Sequence, residues 1–307
     1  MAQVQIEAVI ARGRAALSLI TAAVEAATLS QLSFKPGERW SARDTLLHLA
    51  TSQQEGNRIL SYLVKGETPP RQEILPPDQW NRRQMARYAD LDAAGALELL
   101  KQVRSEHEAL AAHITEETLK ATLGCVAMEP THQHCHLHQI REALARARGQ
   151  VVEAAVHSLL YARAEVLATL DFERRPTAAL EWKPAPDKWS VKEVLLHLAS
   201  WDRYTGTVFA ALAEGRALPP IPFPEAEGEL DRWNQAQVSA CSWMTLAEAV
   251  HESGAAHGVL IEQLRRVTAA QWQSEAGRDW HGYRGRDLYQ RDMIWKTLSA
   301  WQKANPA

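Results

Sequence analysis

Residues 35–52 read KPGERWSARDTLLHLATS, and residues 183–201 read KPAPDKWSVKEVLLHLASW. With one residue inserted in the second stretch, Trp40 aligns with Trp189 and Ser41 with Ser190. Leu46-Leu47-His48-Leu49-Ala50 then aligns with Leu195-Leu196-His197-Leu198-Ala199, at an offset of 149. A second echo follows in the same order, DQWNRRQ from residue 78 and DRWNQAQ from residue 231. His107 and His257 give a weaker third. Ordered matches at nearly constant offset mark a duplicated domain. The sequence therefore predicts two domains, residues 1–147 and 150–307, joined near Gly149. Each has a usual domain size.

Both copies read as helices. Residues 4–29 are rich in Ala, Leu, Ile and Val at helical spacing and lack proline. Ser41 with Asp44, and Ser190 with Glu193, fit the capping box that opens a helix. The preceding tryptophan is placed to pack back onto the first turn. Second helices are expected over 41–64 and 190–215, and long helical stretches, open to interruption, over 80–114 and 233–267. Last helices start near 131 and near 286. No alternating strand pattern occurs, so the expected fold is all-α, two tandem four-helix bundles.

Composition narrows the function. The formal charge is −3 over 307 residues, without the clustered basic excess of a nucleic-acid binder. No apolar run is long enough to span a bilayer, so no membrane partner is expected. The start, MAQVQIEAVIARGRAAL, lacks a signal-peptide pattern. Three cysteines, Cys125, Cys135 and Cys241, make no even disulfide framework. A reducing, cytoplasmic setting is the expectation.

The densest chemistry lies in HQHCHLH, residues 132–138. On a helical wheel His132 and His136 share a side with Gln133, Leu137, Ile140, Ala143 and Leu144. His134 and His138 share the opposite side with Arg141, Glu142 and Arg148, and are expected to face solvent. Cys135 lies off the inward face. Residues four apart stack one turn from each other, which suits two ligands of one ion. Glu142 is expected on the wrong face for a general base, and Asp44 is expected to be spent on capping. Asn81 and Asn234 are expected to cap or brace, and His107 and His257 to pack or lie at the surface.

Trp-Ser opening an LLHLA helix, a later Trp-Asn, and a final helix with His132, His136 and then Gln139-Ile140 resemble the DinB/YfiT-like superfamily. The resemblance implies four-helix bundles with a divalent metal on three histidines. Carried onto this sequence, the ligands are His48, His132 and His136. Such an open site of three imidazoles plus water suits catalysis, with zinc, nickel or iron acceptable to the donors. The resemblance further implies a hydrolase, or an S-transferase using a low-molecular-weight thiol cosubstrate, acting on a small molecule. No catalytic residue beyond the ligands is assigned.

The second copy departs from this pattern. It keeps His197, but no histidine follows His281, so DLYQRDMIWKTLSAW (287–301) has no paired histidines. Its WHGYRGRDLYQRD stretch (280–292) is somewhat similar to the colibactin self-protection branch of the superfamily. It holds nine of the eleven tryptophans. The rival expectation is therefore a non-catalytic binding or self-protection protein that uses this tryptophan-rich domain. The tandem is expected to act as a monomer imitating a dimer, or as a homodimer.

Overall fold

A computed structural model describes residues 2–70, 75–170 and 175–305, with side chains placed in them except at 2–5, 120, 123–125, 127–129 and 284. Cys125 lies outside the described side chains. The chain divides into two compact units, Met1–Gln150 and Val151–Ala307. No strand occurs among the described residues, and both units are helical.

The first unit comprises α1 (Ala2–Glu25), α2 (Leu29–Ser33), α3 (Ala42–Leu63), α4 (Pro77–Arg87), α5 (Ala93–Ala111) and α6 (Glu116–Ala147). Four long helices close a ring in which α6 lies between α1 and α3, and α5 also touches both. Leu46, Leu47 and Leu49 of α3 pack with Leu97 and Leu100 of α5 and Leu137, Ile140 and Leu144 of α6. The capping box is present: the Ser41 hydroxyl accepts from the Asp44 amide at 3.1 Å, and the Asp44 carboxylate accepts from the Ser41 amide at 3.2 Å. The expected stretch 80–114 is interrupted, with Asp92 capping α5 through the Gly95 amide at 2.8 Å.

The last helix starts earlier than the expected position near 131. Thr115 caps it, and Pro130 lies inside it. An interior proline costs roughly 3 kcal/mol, which burial of α6 against two neighbours offsets. Gly149 ends this helix with φ 70, a left-handed conformation that a glycine adopts without strain. Gly13 answers a different need. A side chain there would meet the Arg104 guanidinium at 2.3–2.4 Å, and Arg104 is only 2 % exposed.

The second unit repeats the plan with α7 (Val151–Leu170), α8 (Thr177–Glu181), α9 (Val191–Ala213), α10 (Glu229–Ala240), α11 (Leu246–Arg266), α12 (Ala269–Gln273), α13 (Glu275–Arg278) and α14 (Arg284–Ala304). Again α14 lies between α7 and α9, and α11 completes the ring. Ser190 and Glu193 form the matching capping box.

Each unit buries a histidine on its third long helix or its LLHLA helix that predicts acid sensitivity. Burial, helped by the Arg104 charge, pulls His107 down to about 4. Burial, helped by the Arg286 charge, pulls His197 down to about 4. An unfolded histidine titrates near 6.5, so below that pH the unfolded chain takes up protons the folded chain refuses. Stability is therefore full above about 6.5 and falls as the pH drops, by about 3 kcal/mol for each such group at pH 4. Urea unfolding in chelator at pH 7 and pH 4 checks this; equal stabilities would contradict the neutral, buried placement.

Candidate metal centre

Three imidazoles converge between α3 and α6. His48 lies in the second turn of α3, and His132 and His136 follow one another by a turn on α6. Ring centroids are 5.0 Å apart for His48 and His132, 4.7 Å for His48 and His136, and 4.5 Å for His132 and His136. One ligating nitrogen from each lies within 4.8 Å of the other two. The Nε2 atoms of His48 and His132 are 3.0 Å apart. Two imidazole nitrogens at that distance share either a proton or a cation.

Hydrogen bonds to the other ring nitrogens decide which way two of these rings present their lone pairs. His48 Nδ1 donates to the Asn81 side-chain oxygen at 3.1 Å, and His136 Nδ1 donates to the Gln139 side-chain oxygen at 2.6 Å. Both rings are thereby held with Nε2 as acceptor, as ligands of a cation require. Burial pushes His48 down to about 3, with the His136 charge adding to it. Burial pushes His136 down to about 4, and takes His132 well below the usual range. The donor set is convergent and held neutral by burial, with two of its three rings oriented, and fits a divalent metal ion.

Asn81, expected to cap or brace, links α4 to α3 through His48 and so orients that ring. The Trp-Asn repeat pointed to the position but not to the contact, because α4 reaches α3 only in the folded unit. Replacing such an outer partner costs about 10–100-fold in metal affinity. Asn81→Ala should therefore weaken metal binding by that factor, measured by chelator competition, while Asn81→Asp keeps an acceptor and most of the affinity. Affinity unchanged in Asn81→Ala would remove this role.

Tryptophans enclose the rings. Trp40 lies 4.8 Å from His48 and stacks on His136 at 6.5 Å, and Trp80 meets His48 edge-on at 6.4 Å. Trp40, expected to pack on the first turn of α3, lies against the imidazoles of His48 and His136. Two carboxylates on α3 and α6 are engaged in other contacts. Asp44 serves the cap and pairs with Lys35 and Arg43 at 3.1 and 3.2 Å. Glu142 pairs with Arg39 and, at 2.9 Å, with Arg146.

One part of the wheel is corrected. His134 is exposed, but His138 is buried at 9 % and Glu142 at 4 %. Their side of α6 is not a solvent face, because α6 packs against α1 as well as α3. Cys135 is buried too, at 2 %, and Gln133 is buried beside the histidines.

The chain matches the DinB superfamily over residues 13–144 and again over 158–290. It belongs to the DinB superfamily. No match was found among the curated proteins or among the solved structures.

The second DinB unit builds something else in the corresponding place. Ile294 and Leu298 pack on Leu195 and Leu198, as Ile140 and Leu144 pack on Leu46 and Leu49. Counting back one and two turns from these isoleucines, Gln290 stands for His136 and Arg286 for His132. His197 keeps its tryptophan, with Trp189 at 4.8 Å, but Asn234 turns to Trp201 at 2.9 Å.

Around Arg286 lies a buried ion cluster drawn from four helices. Arg163 reaches Asp202 at 2.7 Å and Asp287 at 2.9 Å. Arg286 reaches the same two carboxylates at 2.7 and 3.0 Å, and His257 contacts Asp202 at 3.2 Å. Burial alone would raise the Asp202 carboxyl, but Arg163, with His257 and Arg286, drives it far below the usual range. Sequence reading missed this cluster. The available signal was Asp202 aligned with Gln53, and Arg286-Asp287 in the last helix.

Proposed function

We propose that the first DinB unit is the metal centre of an enzyme acting on a small molecule, by hydrolysis or by thiol transfer to an electrophile. The carrying observation is the convergence of His48, His132 and His136, with two of the three rings oriented by amide oxygens. The three Nε2-side donors would hold one divalent ion. When bound, it supplies Lewis-acid activation of a water or thiol near neutral pH. Asn81 and Gln139 keep the ligating tautomer, and Trp40 and Trp80 restrict water around the rings. The thiol cosubstrate, a cytoplasmic setting and a chain acting as a monomer or homodimer belong to this proposal. No helix among the described residues is long and apolar enough to cross a membrane.

Elemental analysis of tag-free protein tests this reading. About one zinc, nickel or iron per chain is expected, because among the described residues only the first unit brings three possible ligands together. No ion after loading, or two tightly held ions per chain, would contradict it. Chelation should remove the ion and the activity together.

A second reading has its own observation. In the second unit Trp233, Trp201, Tyr204, Trp280 and Tyr283 form a continuous chain of ring contacts at 5.0–6.2 Å. Such a wall suits capture of an apolar small molecule. A ligand-induced change in tryptophan fluorescence that survives chelation would favour this non-catalytic function.

A further inference from the structure

We propose that the first unit binds a small amphipathic anion in a cleft beside the histidines, its apolar body against Trp40 and α4 and its anionic group on Arg82. Calling that anion the substrate rests on the metal-centre reading; its binding does not. The cleft has a volume of about 540 Å³ and lies between the start of α3 and α4, a size that suits a small molecule.

The cleft adjoins the imidazoles through shared walls. Trp40 and Asn81 line it, and both contact His48, at 4.8 Å between rings and 3.1 Å between polar atoms. A molecule seated there lies one side chain away from His48 and His136. Trp40 offers an aromatic face, and Met85, Ala86 and Ala89 extend the apolar surface along α4.

The charged residues of the cleft are unequal in what they leave for a ligand. Lys35, Arg43 and Arg82 stand against Asp44 and Asp78, an excess of one positive charge. Asp44 is occupied by the helix cap, Lys35 and Arg43. Arg43 is further tied to the backbone oxygens of Tyr88, Ala89 and Leu91 at 3.0, 2.8 and 2.6 Å. Arg82 is exposed. Asp78 lies one turn before it on α4 and also lines the cleft, but the two form no ion pair and Arg82 has no other among the described residues. A guanidinium so placed presents paired donors to a carboxylate, phosphate or sulfonate. The apolar wall selects, among these anions, one attached to a hydrocarbon or aromatic body.

Titration calorimetry of the full chain with three probes tests this, in metal-loaded and in chelator-treated protein. Phenylbutyrate should bind with a Kd on the order of millimolar, as a fragment of its size allows. Phenylbutanol, its neutral analogue, and inorganic phosphate should bind more weakly. Arg82→Gln should weaken phenylbutyrate about tenfold, the loss of one charge-assisted contact, and leave phenylbutanol unchanged. Ala86→Trp should fill the cleft and abolish binding of both organic probes. Arg82 and Ala86 are exposed, and an unchanged Tm confirms that each variant is folded.

Phenylbutyrate binding untouched by Arg82→Gln, or by Ala86→Trp, would overturn the assignment. So would phosphate binding as tightly as phenylbutyrate, which would make the site a simple anion site. If the probe pattern holds but no metal loads, only the metal-centre reading fails. If metal loads and the pattern is absent, only the cleft assignment fails.

Discussion

The double variant His132→Ala, His136→Ala should retain less than about a tenth of an ion per chain, since a single remaining imidazole cannot hold a site that needs three. Its Tm in metal-containing buffer should fall by about 10 °C or more. A bound ion at a thousandfold excess over its Kd stabilises the native state by about 4 kcal/mol, and the variant forfeits that contribution. In chelator the gap between variant and parent should narrow sharply, because the parent has lost the same ion. His134→Ala is the control: its side chain is exposed, and metal content and Tm should hardly move. His138→Ala is a different case. It is buried, so it should lower stability while leaving metal content intact. Full metal in the double variant, or loss of metal in His134→Ala, would transfer the site elsewhere.

Asp202→Ala should destabilise the second unit by about 3–5 kcal/mol, because removing one partner leaves buried charge uncompensated. Asp202 accepts from Arg163 and Arg286 and contacts His257, and only Asp287 would remain to balance two guanidinium groups. Nine of the eleven tryptophans lie in this unit, so urea unfolding followed by fluorescence reports it selectively. Metal content should be unchanged, which separates the two units. The loss should persist at high salt, since buried pairs are little screened. A change under about 1 kcal/mol would mean that the cluster is solvated and contributes little.

The expected fold was legible because its signals are local. Trp40-Ser41 and Trp189-Ser190 announce helix starts through side-chain–backbone bonds spanning three residues, and the same bonds are present in the structure. The repeat of LLHLA tied the two halves together without any knowledge of their packing. Helix boundaries set by tertiary packing were less legible. The last helix was expected to start near 131, yet α6 begins at Glu116 and passes through Pro130, because contacts with α1 and α3 outweigh one missing backbone bond.

The site divides along the same line. The inward placement of His132 and His136 follows from helical periodicity over residues 132–148. The burial of His138 and Glu142 does not, because a wheel assumes one buried face, and α6 is covered on two. Asn81 could be singled out by its repeat, but its hydrogen bond to His48 spans 33 residues and exists only once α4 lies against α3.

Sequence by itself determined the duplication, the all-α class, the helix caps and the pairing of His132 with His136 on one helix side, since each rests on spacing along the chain; the set of three candidate ligands, with His48, came with the family resemblance. Tertiary structure alone decided which outer groups orient those ligands, that a cleft adjoins them, and that the second unit fills the corresponding place with Arg286, Asp202, Asp287 and Arg163. The physical reason is that a buried charge or amide is stable only with partners at hydrogen-bond distance. In this protein those partners come from different helices, whose approach no local pattern encodes.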